Sequence, residues 1–468
     1  MNGSDVEREL RDFFERTQTP EPSARLRIAT AAARLEAGPV RRGGPRDARL
    51  GLALIGLAAS IVLAAGVLLV VINDKRATNA GPGGGVSPSA HMSSPSIQSP
   101  APSPSSSDTP APNRSSTDTP APLVSMGPPH AFTAAGPMDA VYTLSALLPD
   151  GRVLVTGDST GTRPLGAELF DPATGRFSTT GYSNSMHEGG TATTLADGRV
   201  LVAGGYDAFN MTPTQVAMPP TNVAEIYDPR TGTFSATGSL AAKQSGQVAV
   251  LLRDGRVLVV GGETGDGAPA SAELYEPSSG AFRPIGGPST ARYGCAATLL
   301  SDGRVLIAGG WAAGPANSGT GESLTSAEVF DPASGMFTPV GSMAYRHSFG
   351  TLTLLQDGRV LAIGGEVEAE LFDPATDKFS PTGSMSVARE GPTATLLRDG
   401  RVLVAGGSVN LASTKFQVLA SAEIYDPKTG KFSATGSMSE PFLGATATLL
   451  EDGRVLIAGG GSTQLYRP

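Results

Sequence analysis

The sequence predicts an all-β domain, a seven-bladed β-propeller over residues 131–468, preceded by one transmembrane helix and a disordered linker. Three observations predict this organisation. The turn motif Asp-Gly-Arg-Val-Leu occurs seven times at intervals of 42 to 57 residues, which is typical of repeated blades. Glycine (60) and proline (37) are abundant while charged residues make up only 17%, which favours a turn-rich β protein. An uninterrupted apolar segment precedes the repeats.

The apolar segment comprises residues 50–72 and contains no charged side chain. As a helix it is about 34 Å long, enough to cross a bilayer. A signal peptide fits poorly because 49 residues precede the segment and because it is too long for a signal sequence. Four arginines lie within 41–49, against Lys75 and Arg76 after the segment. The positive-inside rule therefore predicts a single-pass cell-membrane protein with a cytoplasmic N-terminus and an extracellular propeller.

Two polar regions flank this predicted span. Residues 1–49 form a short cytoplasmic segment with the pattern of two helices, too small for a stable core of its own. We interpret it as a tail that sets membrane orientation, with a weak cytoplasmic partner as the alternative. Residues 73–130 are rich in Ser, Pro and Thr and lack hydrophobic periodicity. We expect a disordered linker that holds the propeller away from the membrane.

Each repeat has the pattern of four strands. The first, such as "GATATLL", leads through Asp-Gly, which suits a tight hairpin turn, into the second, "RVLVAGG". The second strand is apolar on both faces and ends in a glycine pair. The third strand carries an Ala-Glu motif such as "AEIYDP", and its Pro-containing turn leads to a fourth strand that opens on an aromatic residue. The Ala-Glu motif begins at residues 167, 224, 272, 327, 369 and 422.

The last repeat lacks a fourth strand of its own. Its third-strand segment is "TQLYRP", residues 463–468, after which no further strand follows. A segment of fourth-strand type, "FTAAGPM" (132–138), instead precedes the first repeat. We expect this N-terminal strand to complete the last blade and close the ring, which leaves no unpaired sheet edge.

The repeat resembles the kelch repeat in its double glycine, its Tyr/Phe-Asp-Pro turn and the aromatic residue that opens the fourth strand. It is similar to bacterial membrane-anchored kelch proteins and to the central propeller domain of galactose oxidase. The resemblance covers residues 131–468 and implies the fold, whereas propellers support many unrelated functions.

The resemblance to galactose oxidase implies a copper centre with two Tyr and two His ligands, one Tyr being cross-linked to a Cys. Residues 131–468 contain only His187 and His347, which lie three repeats apart, and Cys295 follows Tyr293 on one strand. We therefore expect no cofactor, no metal and no catalytic residue, and we favour a binding protein over an enzyme. The alternatives are an oxidase-like or hydrolytic enzyme with an unrecognised site, and a transmembrane sensor that signals through the N-terminal segment. The net charge of −8 argues against a nucleic-acid partner.

We expect the ligand to be an extracellular protein or glycan, bound where the repeats differ. The first such place is the connection between the double glycine and the Ala-Glu motif, which is long at 206–223, 311–326 and 408–421. Exposed aromatic residues in these connections are of the kind that anchor sugars or peptides. They are Tyr206, Trp311 and Phe416. The alternative is that these rings pack within their own loops.

The second place is the mouth of the central channel. Ten residues before each Asp-Gly-Arg the chain places a variable side chain that we expect to face the opening. The candidates are His187, Gln244, Arg292, His347, Arg389 and Phe442, followed by Tyr293 and Glu390 at the next position. Arg292, His347 and Arg389 belong to consecutive repeats, so we expect a cationic arc suited to a carboxylate or another anion. The alternative is that each Arg pairs with a nearby glutamate such as Glu390.

Overall fold

A computed structural model of the protein describes residues 129–139, 142–158, 165–207, 219–264, 271–312, 322–410 and 416–468. These residues form strands and turns only, so no helix among them is long and apolar enough to cross a membrane. The predicted cytoplasmic segment, the predicted span and nearly all of the predicted linker lie outside the described residues.

Seven four-stranded antiparallel sheets make up the domain, one for each repeat, which confirms the predicted seven-bladed propeller. We number the blades by the order of their Asp-Gly-Arg turns. The first strands are β2 (Tyr142–Leu147), β6 (Thr191–Thr194), β10 (Ser245–Leu251), β15 (Ala296–Leu299), β20 (Thr351–Leu354), β24 (Thr393–Leu396) and β30 (Thr446–Leu449). The second strands are β3 (Val153–Asp158), β7 (Val200–Ala203), β11 (Val257–Glu263), β16 (Val305–Ala308), β21 (Val360–Gly364), β25 (Val402–Ala405) and β31 (Val455–Gly459).

The outer half of each blade consists of a third and a fourth strand. The third strands are β4 (Leu165–Asp171), β8 (Ala224–Asp228), β12 (Ser271–Glu276), β18 (Ala327–Asp331), β22 (Glu366–Asp373), β28 (Ala422–Asp426) and β32 (Ser462–Arg467). The fourth strands are β5 (Arg176–Ser183), β9 (Thr233–Ala236), β13 (Ala281–Gly286), β19 (Met336–Pro339), β23 (Lys378–Pro381), β29 (Lys431–Ala434) and β1 (Ala131–Ala134). Two short ribbons are added, β14 (Arg292–Tyr293) with β17 (Trp311–Ala312) and β26 (Ser408–Asn410) with β27 (Phe416–Val418).

The N-terminal strand closes the ring, as the sequence predicted. Strand β1 pairs antiparallel with β32, with Ala131 opposite Arg467 and Phe132 opposite Tyr466. The rings of Phe132 and Tyr466 lie 4.8 Å apart between centroids. Blade 7 therefore combines the first strand of the described chain with the last three strands.

The hydrophobic core lies between the blades. Seven clusters of buried side chains each join two neighbouring blades, because the second and third strands are apolar on both faces. One cluster packs Val153 and Val155 of blade 1 against Leu456 and Leu465 of blade 7. Burying one such side chain stabilises the fold by about 1.5–3 kcal/mol. The ring is thus closed by packing between blades 7 and 1 as well as by the shared sheet.

Each third strand carries one buried aromatic side chain at the interface with the preceding blade. Whether this side chain is tyrosine or phenylalanine correlates with the residue opposite it. Where it is tyrosine, its hydroxyl lies beside a threonine hydroxyl on the fourth strand of the preceding blade. The pairs are Tyr227–Thr180 (2.8 Å), Tyr275–Thr237 (2.9 Å), Tyr425–Thr382 (2.8 Å) and Tyr466–Thr435 (2.8 Å). Where it is phenylalanine, the preceding blade supplies an apolar residue. These pairs are Phe170–Ala135, Phe330–Ile285 and Phe372–Val340.

The Asp-Gly-Arg turns have a structural role. In each turn the arginine pairs with the aspartate two residues earlier, as in Arg454–Asp452 (2.6 Å). Nη2 of Arg454 also donates to the carbonyl of Pro172 in blade 1 (2.7 Å). These turns and the Pro-containing turns lie on one face, so the connections between second and third strands and between successive blades lie on the other.

Candidate functional site at the channel mouth

A chain of backbone hydrogen bonds surrounds the channel mouth from blade 2 to blade 6. Gly246 N donates to Gly189 O (3.0 Å), Gly294 N to Gly246 O (3.2 Å), Phe349 N to Gly294 O (3.1 Å) and Gly391 N to Phe349 O (3.0 Å). All five residues have a positive φ, between 46° and 65°. Glycine adopts this left-handed conformation without steric cost, so Phe349 is the exception among them.

The two arginines of the expected cationic arc are buried inside their own blades. Arg292 is 0% exposed, and its Nη1 donates to the carbonyls of Gly309 and Ser326 (3.0 Å each). Its Nη2 donates to Glu328 Oε1 (3.1 Å), on the third strand of the same blade.

Arg389 repeats this arrangement in blade 6. It is 1% exposed, and its Nη1 donates to the carbonyls of Gly406 and Ser421 (2.9 Å each). Its Nη2 donates to Glu423 Oε2 (3.2 Å).

The two histidines occupy the same position and make the same kind of contacts. Nδ1 of His187 lies 2.8 Å from the Gly204 carbonyl, and its Nε2 lies 3.1 Å from Glu225 Oε2. Burial acts to raise the pKa of Glu225, but hydrogen bonds from His187, Ser183 and Asn184 outweigh it and lower this pKa to about 2.

His347 has the equivalent contacts, with Nδ1 2.8 Å from Gly364 O and Nε2 3.4 Å from Glu370 Oε2. Burial acts against ionisation of Glu370, yet the nearby His347 ring and backbone donors hold its pKa below the ordinary value.

Blades 1, 3 and 7 lack a basic residue at this position, which is Ala140 in the sequence of blade 1. In blade 7 the residue is Phe442, which is buried in the core, and the third strand carries Gln464 in place of the glutamate. In blade 3 the residue is Gln244, also buried, while the carboxylate of Glu273 accepts from Ala241 N (3.0 and 3.1 Å). Burial raises the pKa of Glu273.

The expected cationic arc is therefore a set of internal ion pairs. Internal pairing was the alternative that the sequence left open, but the partner is the third-strand glutamate and not Glu390. The physical reason is that a buried charge needs a charged or hydrogen-bonding partner close by, and each blade supplies one. Direct contact of these basic residues with a ligand stays a prediction.

Two large apolar side chains are exposed at the channel mouth. Phe349 and Leu443 are each 41% exposed. The ring of Phe349 lies over Gly294, where an added Cβ would come within 2.6 Å of it. Phe349 also meets Tyr293 edge-on, with centroids 6.3 Å apart and an interplanar angle of 71°. A left-handed conformation for a bulky residue costs about 1–2 kcal/mol, and such strain concentrates at functional positions.

Two aromatic residues of the long connections are linked to this pair, Trp311 through its backbone pairing with Tyr293 and Tyr206 through Glu263. The Tyr206 hydroxyl donates to Oε1 of Glu263 in the next blade. Burial, followed by the charge of Glu263, raises the pKa of both Tyr206 and Tyr293. Trp311 pairs through its backbone with Tyr293, and its indole nitrogen has no hydrogen-bond partner among the described residues.

Tyr206 and Trp311 are half-buried, whereas we expected exposed side chains from the sequence. Phe416 begins β27, but its side chain lies outside what the structure describes.

Glu390 completes the mouth on blade 6. Its backbone exchanges two hydrogen bonds with Ser408 (2.8 Å each), which fixes its position. The side chain is half-buried, burial raises its pKa, and no hydrogen bond or ion pair reaches its carboxylate from the described part of the chain.

The sequence reasoning missed Phe349 and Glu263. The signal for Phe349 was available, because aligned repeats 2, 3, 4, 6 and 7 have glycine at its position. Glu263 directly follows a double glycine, as Tyr206 and Trp311 do. It was missed because only aromatic residues were considered at that position.

No protein-family model matches this chain, and no curated protein matches it. Among solved structures the chain is similar to a fungal alcohol oxidase of the AA5 family in complex with copper. The TM-score is 0.57 at 18% identity, over 72% of this chain and 76% of that chain. This likeness concerns the fold, which is that of a kelch-type seven-bladed propeller.

The described residues of this propeller do not fit a copper centre. Within the described ranges, no three His, Cys, Asp or Glu side chains are grouped so that they could hold a metal ion. His187 and His347 are engaged by their own blades. Cys295 is buried, and burial raises the pKa of its thiol to about 11, which disfavours the thiolate that binds metals.

Proposed function

We propose that this protein is a membrane-tethered binding module whose propeller holds an extracellular glycan or protein ligand at the channel mouth. The observation that carries the proposal is the aromatic group at that mouth, in which strained, exposed Phe349 meets Tyr293, whose backbone pairs with that of Trp311.

The chemistry of this group suits ligand binding. Aromatic faces offer apolar area to a sugar ring or a side chain at a low entropic cost. The carboxylates of Glu263 and Glu390 stand at either end of the group and accept hydrogen bonds from hydroxyl or amide donors. The backbone hydrogen bonds around the mouth hold these side chains in place before a ligand arrives, which lowers the cost of binding.

The tether rests on the sequence of residues 50–72 and on the arginines before it. Its test is protease treatment of intact cells that express the full chain. We expect cleavage within residues 73–130 to release the propeller into the medium while residues 1–49 stay with the cells. Protection of the propeller in intact cells, with digestion only after lysis, would reverse the proposed orientation.

The binding proposal is tested with the full-length protein in phosphatidylglycerol nanodiscs, against an array of glycans and a panel of cell-surface proteins. For a ligand so identified, we expect Phe349→Gly and Tyr293→Ala each to weaken binding at least about tenfold, the loss expected when an aromatic anchor is removed. Phe349→Gly introduces the residue that five of the other six blades have at this position, so it relieves strain and preserves the fold.

The matched control is Met336→Ala, an exposed apolar residue on the opposite face. Binding that is unchanged in both mouth variants, or the absence of any ligand from both panels, would refute the proposal.

A further inference from the structure

We infer that the channel mouth recognises an ammonium group on its ligand, held by the aromatic pair Phe349–Tyr293 between the carboxylates of Glu263 and Glu390. The inference rests on the proposed function and specifies that the ligand group bound at the mouth is positively charged.

The charge at the mouth follows from the internal ion pairs. Arg292, Arg389, His187 and His347 are buried, and each faces the third-strand glutamate of its own blade. The positive charges of Arg292 and Arg389 are therefore neutralised inside their blades, and the two histidine rings are held there by glutamates. The carboxylates of Glu263 and Glu390 lie on the two blades that flank the aromatic pair, whereas the exposed Arg346 guanidinium donates to the Ser323 carbonyl. We therefore expect the mouth to complement a cation.

The four residues follow one another around the mouth. Tyr293 precedes Gly294, which bonds to Phe349, and Phe349 in turn bonds to Gly391, which follows Glu390. Glu263 lies at the other end, where its charge acts on the phenol of Tyr293. The group therefore runs through blades 3, 4, 5 and 6 in order, with an acid at each end and the two rings in the middle.

The carboxylates of Glu390 and Glu263 can each still pair with a cation. The Glu390 carboxylate is half-buried and receives no hydrogen bond or ion pair from the described residues. Glu263 is also half-buried and accepts one hydrogen bond, from Tyr206. A partly desolvated carboxylate without a cationic partner is unfavourable, and an incoming ammonium group supplies that partner.

The ring geometry adds a second attraction for the same group. Phe349 and Tyr293 meet at 71°, so their faces point in different directions and form an aromatic corner. The negative face of an aromatic ring attracts ammonium groups, and aromatic corners of this kind bind quaternary amines. A glycine at position 349 would avoid the backbone strain, as in blades 2, 3, 4, 6 and 7, but would remove one wall of the corner.

The test compares choline with its neutral isostere 3,3-dimethylbutan-1-ol by calorimetric titration of the full-length protein. Phosphatidylglycerol nanodiscs are used because their lipids carry no choline. We expect choline to bind at least about tenfold more tightly than the isostere. We expect Phe349→Gly and Glu390→Gln each to weaken choline binding at least about tenfold. The matched control is Glu451→Gln, which removes an exposed carboxylate on the opposite face and should leave binding unchanged.

A second pair of probes separates this inference from the proposed function. A glucosamine hexamer is cationic and its N-acetylated counterpart is neutral, and we expect the mouth to prefer the cationic form. Equal binding of the two members of either pair, lost in Phe349→Gly, would refute the ammonium site and support the binding module. No response of any probe or panel ligand to the mouth variants would refute both. Melting temperatures and near-UV circular dichroism confirm that each variant is folded.

Discussion

Nη2 of Arg389 lies 3.2 Å from Oε2 of Glu423, and both side chains are buried within blade 6. Glu225, Glu328 and Glu370 face a basic side chain at the equivalent position of their own blades. Blade 7 has the neutral combination of Phe442 and Gln464 instead. The basic residue and the third-strand glutamate therefore act as a matched pair in blades 2, 4, 5 and 6.

Breaking this pair is expected to destabilise the propeller strongly. Glu423→Gln leaves the Arg389 charge without its partner in a buried site, which costs about 3–5 kcal/mol. Chemical denaturation of the full-length protein measures the change. The double variant Arg389→Phe with Glu423→Gln copies blade 7 and should recover a large part of the loss. A double variant less stable than Glu423→Gln alone would contradict the matched-pair interpretation.

Replacing Glu273 by glutamine is expected to stabilise the protein, whereas Glu423→Gln destabilises it. The blade of Glu273 has no basic residue at the equivalent position. Burial raises its pKa above the ordinary value of 4.5, so the folded state binds this proton more tightly than the unfolded state. Its contribution to stability is fully present below the unfolded pKa and is lost as the pH rises through the folded pKa. Glu273→Gln should therefore stabilise the protein by about 1 kcal/mol at pH 7.

The measurement for Glu273→Gln is the free energy of unfolding at several pH values. The gain over wild type should shrink as the pH falls toward the ordinary glutamate range. Destabilisation at pH 7, as expected for Glu423→Gln, would show that the Glu273 carboxylate is needed in its charged form.

The tyrosine–threonine pairs between blades predict non-additive effects. Thr180→Val leaves the buried hydroxyl of Tyr227 without its partner, 2.8 Å away in the wild type, and should cost about 1 kcal/mol or more. Adding Tyr227→Phe recreates the combination seen at Phe372 and Val340. The double variant should therefore be at least as stable as Thr180→Val.

A double-mutant cycle of unfolding free energies gives the coupling between these two residues. As a control, Val340→Thr places a hydroxyl against a phenylalanine and should destabilise that interface. Strictly additive effects of the two changes at Thr180 and Tyr227 would show that their hydrogen bond contributes nothing.

The closing strand predicts a large effect of a small deletion. Removal of residues 131–139 eliminates β1, exposes the edge of β32 and uncovers the buried ring of Tyr466. We expect a clear fall in the melting temperature, whereas removal of residues 105–122 from the predicted linker should leave it unchanged. Equal melting temperatures for the two deletions would contradict the stabilising role of β1.

The number of blades, the order of strands and the closing strand were all predictable from sequence. Each depends on a pattern repeated along the chain: Asp-Gly turns, apolar strands, and the match of residues 132–138 to the fourth strands. The Ala-Glu motif also recurs in six of the seven repeats, and a residue that recurs in this way serves what the blades have in common. Such patterns are local, so they can be recognised in the sequence without knowing which residues are close in space.

The character of the channel mouth was decided only by the tertiary structure. Arg389 and Glu423 lie 34 residues apart in sequence, and only the folded blade brings their side chains within 3.2 Å and buries them. Pairing of this kind withdraws the positive charges from the mouth and leaves Phe349, Tyr293 and Glu390 there. The propeller fold can be predicted from sequence alone, because strand patterns and turns are encoded residue by residue. The direction and partner of each mouth side chain depend on the packing of neighbouring strands, which exists only in the closed ring.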